Sequence, residues 1–193
     1  RDLGHALMDL RESGEIWVGD VNGAWRRDEA VRFSRSAEGL DLYLEQPCAS
    51  YEECLSVRAH ARHPMKLDES LTSVSDVQRA LRDDAMDAMS LKVSKFGGLT
   101  HSRVIRDLCV ASGIPMTIED AWGSGIATAA YAHLAASTPP ACLLNTTDLH
   151  NYNTVQLARG APEVANGRMT LSERPGLGVE PDFSHLRRDA LYS

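Results

Sequence analysis

The chain has 193 residues, with 20 Lys+Arg against 27 Asp+Glu, a formal net charge of −7 and a hydrophobic fraction of 43%. That is ample apolar sequence for a folded core and too much for a disordered chain. The acidic balance, with basic runs no longer than Arg26-Arg27 or Arg187-Arg188, argues against nucleic acid and anionic membrane as main partners. No apolar run approaches the roughly 20 residues that span a bilayer. The four cysteines (Cys48, Cys54, Cys109, Cys142) lack the C-x-x-C spacing of a zinc or redox site and read as small buried thiols in a reducing cytoplasm. The opening Arg1-Asp2-Leu3-Gly4-His5 has neither an initiating Met nor a signal core, and reads as the middle of something longer.

Short apolar runs rich in strand formers come at residues 16–20, 40–45, 65–68, 88–93, 114–118 and 141–145. Amphipathic stretches of helical period lie between them. Residues 50–61 begin on Ser50 with Glu53 three residues on, the spacing of a capping box. Residues 73–82 set Val74, Val77 and Leu81 on one face. Residues 100–111 set Val104, Leu108 and Ala111 on one face and stop at Gly113. Residues 125–136, rich in Ala and almost wholly apolar, predict a buried helix. Strand and helix alternating in this way imply parallel strands with right-handed crossovers. A doubly wound open sheet and a (β/α)8 barrel both fit, but the G-x-G-x-x-G turn of a nucleotide-binding sheet is absent. The barrel carries its chemistry at the C-terminal strand tips. After Thr146 the rhythm stops: Asn166-Gly167 before Met169 reads as a turn and short strand, residues 175–178 as a loop, and 182–193 as a polar end. The expected division is a partial barrel over 1–146 and a last barrel loop with a C-terminal return segment over 147–193.

Asp20, Glu45, Asp68 and Lys92 end four successive strands, at spacings of 25, 23 and 24 residues. One β/α unit thus separates each from the next, which predicts equal heights and one shared mouth. Three converging carboxylates repel unless a cation neutralises them. Oxygen-only ligands with positions left for water or substrate favour Mg2+, or Mn2+, over zinc.

The segments around these residues are Asp20-Val21-Asn22-Gly23-Ala24-Trp25, Glu45-Gln46-Pro47, Asp68-Glu69-Ser70 and Lys92-Val93-Ser94-Lys95-Phe96-Gly97-Gly98. Together they resemble the enolase superfamily, within it the mandelate racemase/muconate lactonizing enzyme group, across nearly the whole chain. The resemblance implies Asp20, Glu45 and Asp68 as Mg2+ ligands, Lys92 as the acid/base lysine, and Asn22 and Glu69 as residues that orient the ligands. Lys95 is its rival, but counting along the strand sends Lys95 to the other face and outside the site. The family's K-x-K motif, which supplies an opposing base ahead of the Asp20 equivalent, is absent; only a helix-like stretch, residues 3–13, precedes Asp20. The chain therefore reads as strands three to eight of a barrel that needs an N-terminal part of the enzyme.

The shared chemistry of the group is removal of a proton α to a carboxylate. Ile118-Glu119-Asp120-Ala121-Trp122-Gly123 resembles members acting on proline derivatives, the cis-3-hydroxy-L-proline dehydratases and 4-hydroxyproline betaine 2-epimerases. That resemblance implies Glu119, Asp120 and Trp122 as substrate-binding residues, with Asn145 on the following segment. The plainer alternatives are Trp122 as a packing residue and Glu119 or Asp120 as the cap of the 125–136 helix. The expected activity is a Mg2+-dependent dehydratase of a hydroxyproline-type amino acid. A racemase or epimerase of the same family and a non-catalytic barrel fragment are the alternatives. A small amino-acid carboxylate as substrate and a homo-oligomeric assembly are also implied.

Overall fold

The computed structural model describes residues 15–185; the helix-like stretch at 3–13 and the polar end past 185 lie outside them. Six parallel strands, β1 (Val18–Asp20), β2 (Tyr43–Glu45), β3 (Met65–Leu67), β4 (Ala88–Lys92), β5 (Met116–Glu119) and β6 (Leu143–Thr146), form one sheet in sequential order. The crossovers are α1 (Arg27–Ser36), α2 (Tyr51–Arg58), α3 (Val74–Arg82), α4 (Leu99–Ala111) and α5 (Gly125–Ala136). The sheet is curled: Asp20 of the first strand and Asn145 of the last line one cavity. The architecture is therefore the partial α/β barrel expected from the sequence, with β1 and β6 its edges among the described residues.

Strand alternation divides the side chains. Leu44, Met65, Leu67, Met89, Leu91, Met116 and Ile118 are fully buried and join Val57, Val77, Ile105 and Cys109 of the helices in one core. Each such burial contributes about 1.5–3 kcal/mol. The alternate residues, Glu45, Lys66, Ser90, Lys92, Thr117 and Glu119, are left for the inner side. All four cysteines are buried and free.

Helix α1 is absent from the sequence reading because its N-cap is Arg26, not a small polar residue. Glu29 supplies the cap instead, accepting the Arg26 main-chain N–H at 2.9 Å. The Ser50–Glu53 capping box of α2 forms as predicted, with both main-chain bonds at 3.3 Å. The face of α4 is not the predicted one. Val104 is exposed, and Ser102, Ile105, Arg106 and Cys109 are buried. Arg106 is tolerated there because its guanidinium donates to the Ser137 carbonyl and hydroxyl at 2.8 and 2.9 Å. The 141–145 run also starts late: residues Pro140–Cys142 form a 3-10 turn and the strand begins at Leu143.

The segment after β6 packs back on α5. A Cβ on Gly125 would lie 2.5 Å from Ala161 Cβ, so only glycine fits that approach. Beyond it, β7 (Glu163–Ala165) and β8 (Arg168–Thr170) form the expected hairpin. Asn166 and Gly167 take φ of 51° and 70° at its turn, the left-handed pair a tight hairpin needs.

Candidate active site

Asp20 and Glu45 are direct neighbours across the β1–β2 ladder. From there the register departs from equal heights. The partner of Glu45 on β3 is Lys66, with Asp68 two residues further on, and the partner of Lys66 on β4 is Ala88, with Lys92 four residues further on. Lys92 in turn is level with Glu119. This stagger is what tilted strands need in a barrel, and it brings Lys66 and Ser90 into the site.

A cavity of about 420 Å3 opens at these tips, lined by Asp20, Glu45, Lys66, Asp68, Lys92 and Glu119, and also by Asp120, Trp122 and Asn145. Glu45 is buried; Lys66 Nζ donates to its Oε2 at 2.7 Å and Ser90 Oγ to its Oε1 at 2.7 Å. Asp68, 2% exposed, accepts from Lys92 Nζ at 2.5 Å and from Lys95 Nζ at 2.6 Å. Asp20 is exposed, and its Oδ1 accepts the Asn22 main-chain N–H at 2.9 Å. Asn22 thus meets Asp20 through its backbone. Glu69 is next to Asp68, and its carboxyl is pushed up by burial and by the Asp68 and Asp20 charges.

Among the described residues, no three His, Cys, Asp or Glu side chains are gathered closely enough to hold a metal ion. Asp20, Glu45 and Asp68 share the cavity, while Glu45 and Asp68 turn to lysines. The donors nevertheless suit a hard divalent cation. They are all oxygens, and five carboxylates line the cavity against two lysines, with Lys95 a third ammonium on Asp68. The cavity's carboxylates outnumber its ammoniums, an acidic balance that a divalent cation would offset.

Lys95 is a correction. The chain turns sharply after Lys92, so strand alternation no longer applies, and Lys95 folds back to donate to both the Asp68 side chain and its carbonyl (2.7 Å). Burial would raise the Asp68 carboxyl, but the Lys95 and Lys92 ammoniums outweigh it and hold it low. Burial alone would lower Lys92; its bond to Asp68 raises it instead, so Lys92 stands in the cavity as an ammonium. Burial holds Lys95 below its ordinary range. Glu119 is pushed up by burial, against the pull of Lys66 and Lys92.

Asp120 lines the cavity but uses its oxygens as a brace. It accepts from the Ser94 hydroxyl, the Ser94 N–H (3.1 Å) and the Ala121 N–H (2.8 Å). Ser124, not Glu119 or Asp120, caps α5. Trp122 is 72% exposed in this chain and meets Tyr152 edge-on at 5.7 Å. Asn145 is exposed on the cavity wall.

Four further residues build the site. Gln46, fully buried at φ 33°, accepts from the Asp68 N–H (3.0 Å) and the Ser70 hydroxyl (2.9 Å) and so fixes the turn that aims Asp68. Lys66, Ser90 and Ser94 hold Glu45 and Asp120. A lysine inside the apolar run Met65-Lys66-Leu67 was the available signal; the serines gave none. A larger cleft of about 540 Å3 lies at the opposite strand ends, where Arg58 is spent on Asp84 and Asp87.

The family model "Enolase C-terminal domain-like" matches residues 8–185. Over 182 residues the chain is 48% identical to cis-3-hydroxy-L-proline dehydratase of Roseibium aggregatum, covering 94% of this chain and 50% of that protein. It is 37% identical to o-succinylbenzoate synthase of Thermobifida fusca over 121 residues, 62% of this chain and 37% of that one. A mandelate racemase/muconate lactonizing enzyme structure from Roseovarius nubinhibens superposes with a TM-score of 0.89 at 48% identity, covering 93% of this chain and 48% of that one. An enolase superfamily member from the same organism, complexed with magnesium, superposes at 0.88 with 35% identity, covering 92% and 48%. The chain spans about half the length of the relatives it matches. With its strand-tip carboxylates and lysines on an incomplete barrel, the chain belongs to the enolase C-terminal domain-like family, within the mandelate racemase/muconate lactonizing enzyme group of the enolase superfamily.

Proposed function

We propose that the enzyme containing this chain removes the α-proton of a hydroxyproline-type amino acid and expels its 3-hydroxyl as water, as a Mg2+-dependent dehydratase. The carrying observation is one cavity that holds Asp20, Glu45 and Asp68 beside Lys92 and Glu119. The 48% identity to a cis-3-hydroxy-L-proline dehydratase supports the choice of substrate class.

In this reading Asp20, Glu45 and Asp68 hold Mg2+, which when bound offsets charge that develops on the substrate carboxylate. Lys92 contributes an ammonium to the same face. Held by Asp68, it is better placed to hand a proton to the departing hydroxyl than to take one from carbon. Glu119 and the exposed Trp122 face suit a cationic ring nitrogen, through ion pairing and cation–π attraction. Loss of the α-proton and of the hydroxyl leaves an unsaturated ring that tautomerises to a pyrroline carboxylate. The opposing base belongs to no K-x-K motif of this chain; further strands on the β1 and β6 edges would supply it and close the barrel. We also take the enzyme to be a homo-oligomer of the reducing cytoplasm, which suits its free buried thiols.

Incubating the full-length gene product with cis-3-hydroxy-L-proline and Mg2+ tests this reading. Loss of substrate with formation of the cyclic imine is expected; neither change rejects it. Exchange of the α-hydrogen with solvent deuterium, without elimination, assigns the epimerase reaction instead.

A further inference from the structure

We propose that Lys66 is a fixed counter-charge inside the carboxylate set, and that it lowers the cavity's affinity for its divalent ion. This rests on the reading of Asp20, Glu45 and Asp68 as that ion's ligands. Lys66 sits in a strand whose neighbours Met65 and Leu67 are fully buried in the core, yet its own side chain lines the cavity. Its side chain and that of Glu45 are 4% and 6% exposed, and Nζ lies 2.7 Å from Oε2. A buried ammonium is tolerated only when paired, and Glu45 is its partner. Glu119 on β5 lines the same cavity, so the ammonium stands among that cavity's carboxylates.

Such a cation repels a second one arriving at the same carboxylate, the more so for a double charge in a site shielded from water. The opposite expectation, that Lys66 helps by aiming Glu45, is met by another residue. Ser90 Oγ holds the other carboxylate oxygen at 2.7 Å. Removing the Lys66 charge therefore relieves repulsion without releasing the ligand. In return Lys66 keeps Glu45 neutralised at all times, so the fold does not depend on the ion.

The test is calorimetric titration of the full-length gene product with MgCl2, beside its Lys66→Met, Lys66→Arg and Ser90→Ala variants. Lys66→Met is expected to bind Mg2+ about tenfold more tightly or better. Mg2+ should also raise its melting temperature further than that of the wild type. Lys66→Arg, which keeps the charge, should show no such tightening, and Ser90→Ala should bind no more tightly. Unchanged or weaker binding by Lys66→Met overturns the proposal, as does equal tightening in Ser90→Ala. Should Lys66→Met fail to fold, Lys66→Gln removes the charge, keeps an N–H donor and carries the same prediction. A wild-type protein that takes up no Mg2+ overturns the metal reading itself, a result distinct from Mg2+ binding that is indifferent to Lys66.

Discussion

Lys95 grips Asp68 twice, through the carboxylate at 2.6 Å and the main-chain carbonyl at 2.7 Å. The turn after β4 is thereby tied to the turn after β3, and Asp68 is shared between two lysines. In Lys95→Met, Lys92 becomes the remaining partner and claims the whole carboxylate. The variant is expected to fold and to lose about tenfold or more in kcat/KM, the usual cost of removing an outer partner of a ligand. Steady-state kinetics beside a circular dichroism spectrum checks it; wild-type kinetics would show that the grip does not matter.

Gln46 offers a test of the scaffold beneath the chemistry. Its side-chain carbonyl takes the buried Asp68 N–H at 3.0 Å. Gln46→Leu orphans that donor, which costs about 1–3 kcal/mol. Urea denaturation measures the loss, and an unchanged midpoint would refute the role.

Asp87 predicts a pH dependence of stability. It accepts from Arg58 and from the Met65 N–H at 2.7 Å, joining the starts of β3 and β4. Burial would raise its carboxyl, but these bonds and the Arg58 charge hold it below the ordinary range. A depressed folded-state value means the stabilisation is complete above the unfolded-state value of about 3.9 and is lost as pH falls through the folded one. The melting-temperature gap between wild type and Asp87→Asn should thus be full at neutral pH and close in acid. A gap that persists unchanged in strong acid contradicts the assignment.

Trp122 separates binding from chemistry. Because 72% of it is exposed, Trp122→Ala should leave the fold alone. If its face holds a cationic ring nitrogen, KM rises by about threefold to thirtyfold with kcat little altered. An unchanged KM would remove it from the substrate site.

The strand order, four of the five helices and the tail hairpin were legible because hydrophobic period and turn chemistry are local signals. Helix α1 was not, since its cap is Glu29 acting on an arginine's backbone. The α4 face was misread because Arg106 and Ser102 are buried through contacts made only after folding. The four strand-tip residues stood out by spacing, but spacing assumed equal heights. Stagger between strands decides instead who meets whom, which is how Lys66 came to face Glu45. Lys95 was misplaced for a related reason, as a rule for strands was carried past the strand's end.

Asp20 is exposed and, among the described residues, bound to no lysine, so its loss leaves the fold and the Glu45 and Asp68 pairs intact. The measurement is Mg2+ affinity of the full-length gene product and its Asp20→Asn variant. Wild-type binding should weaken by about a hundredfold or more in the variant, beyond the loss typical of an outer partner. Equal Mg2+ affinity in the two proteins would contradict Asp20 as a ligand.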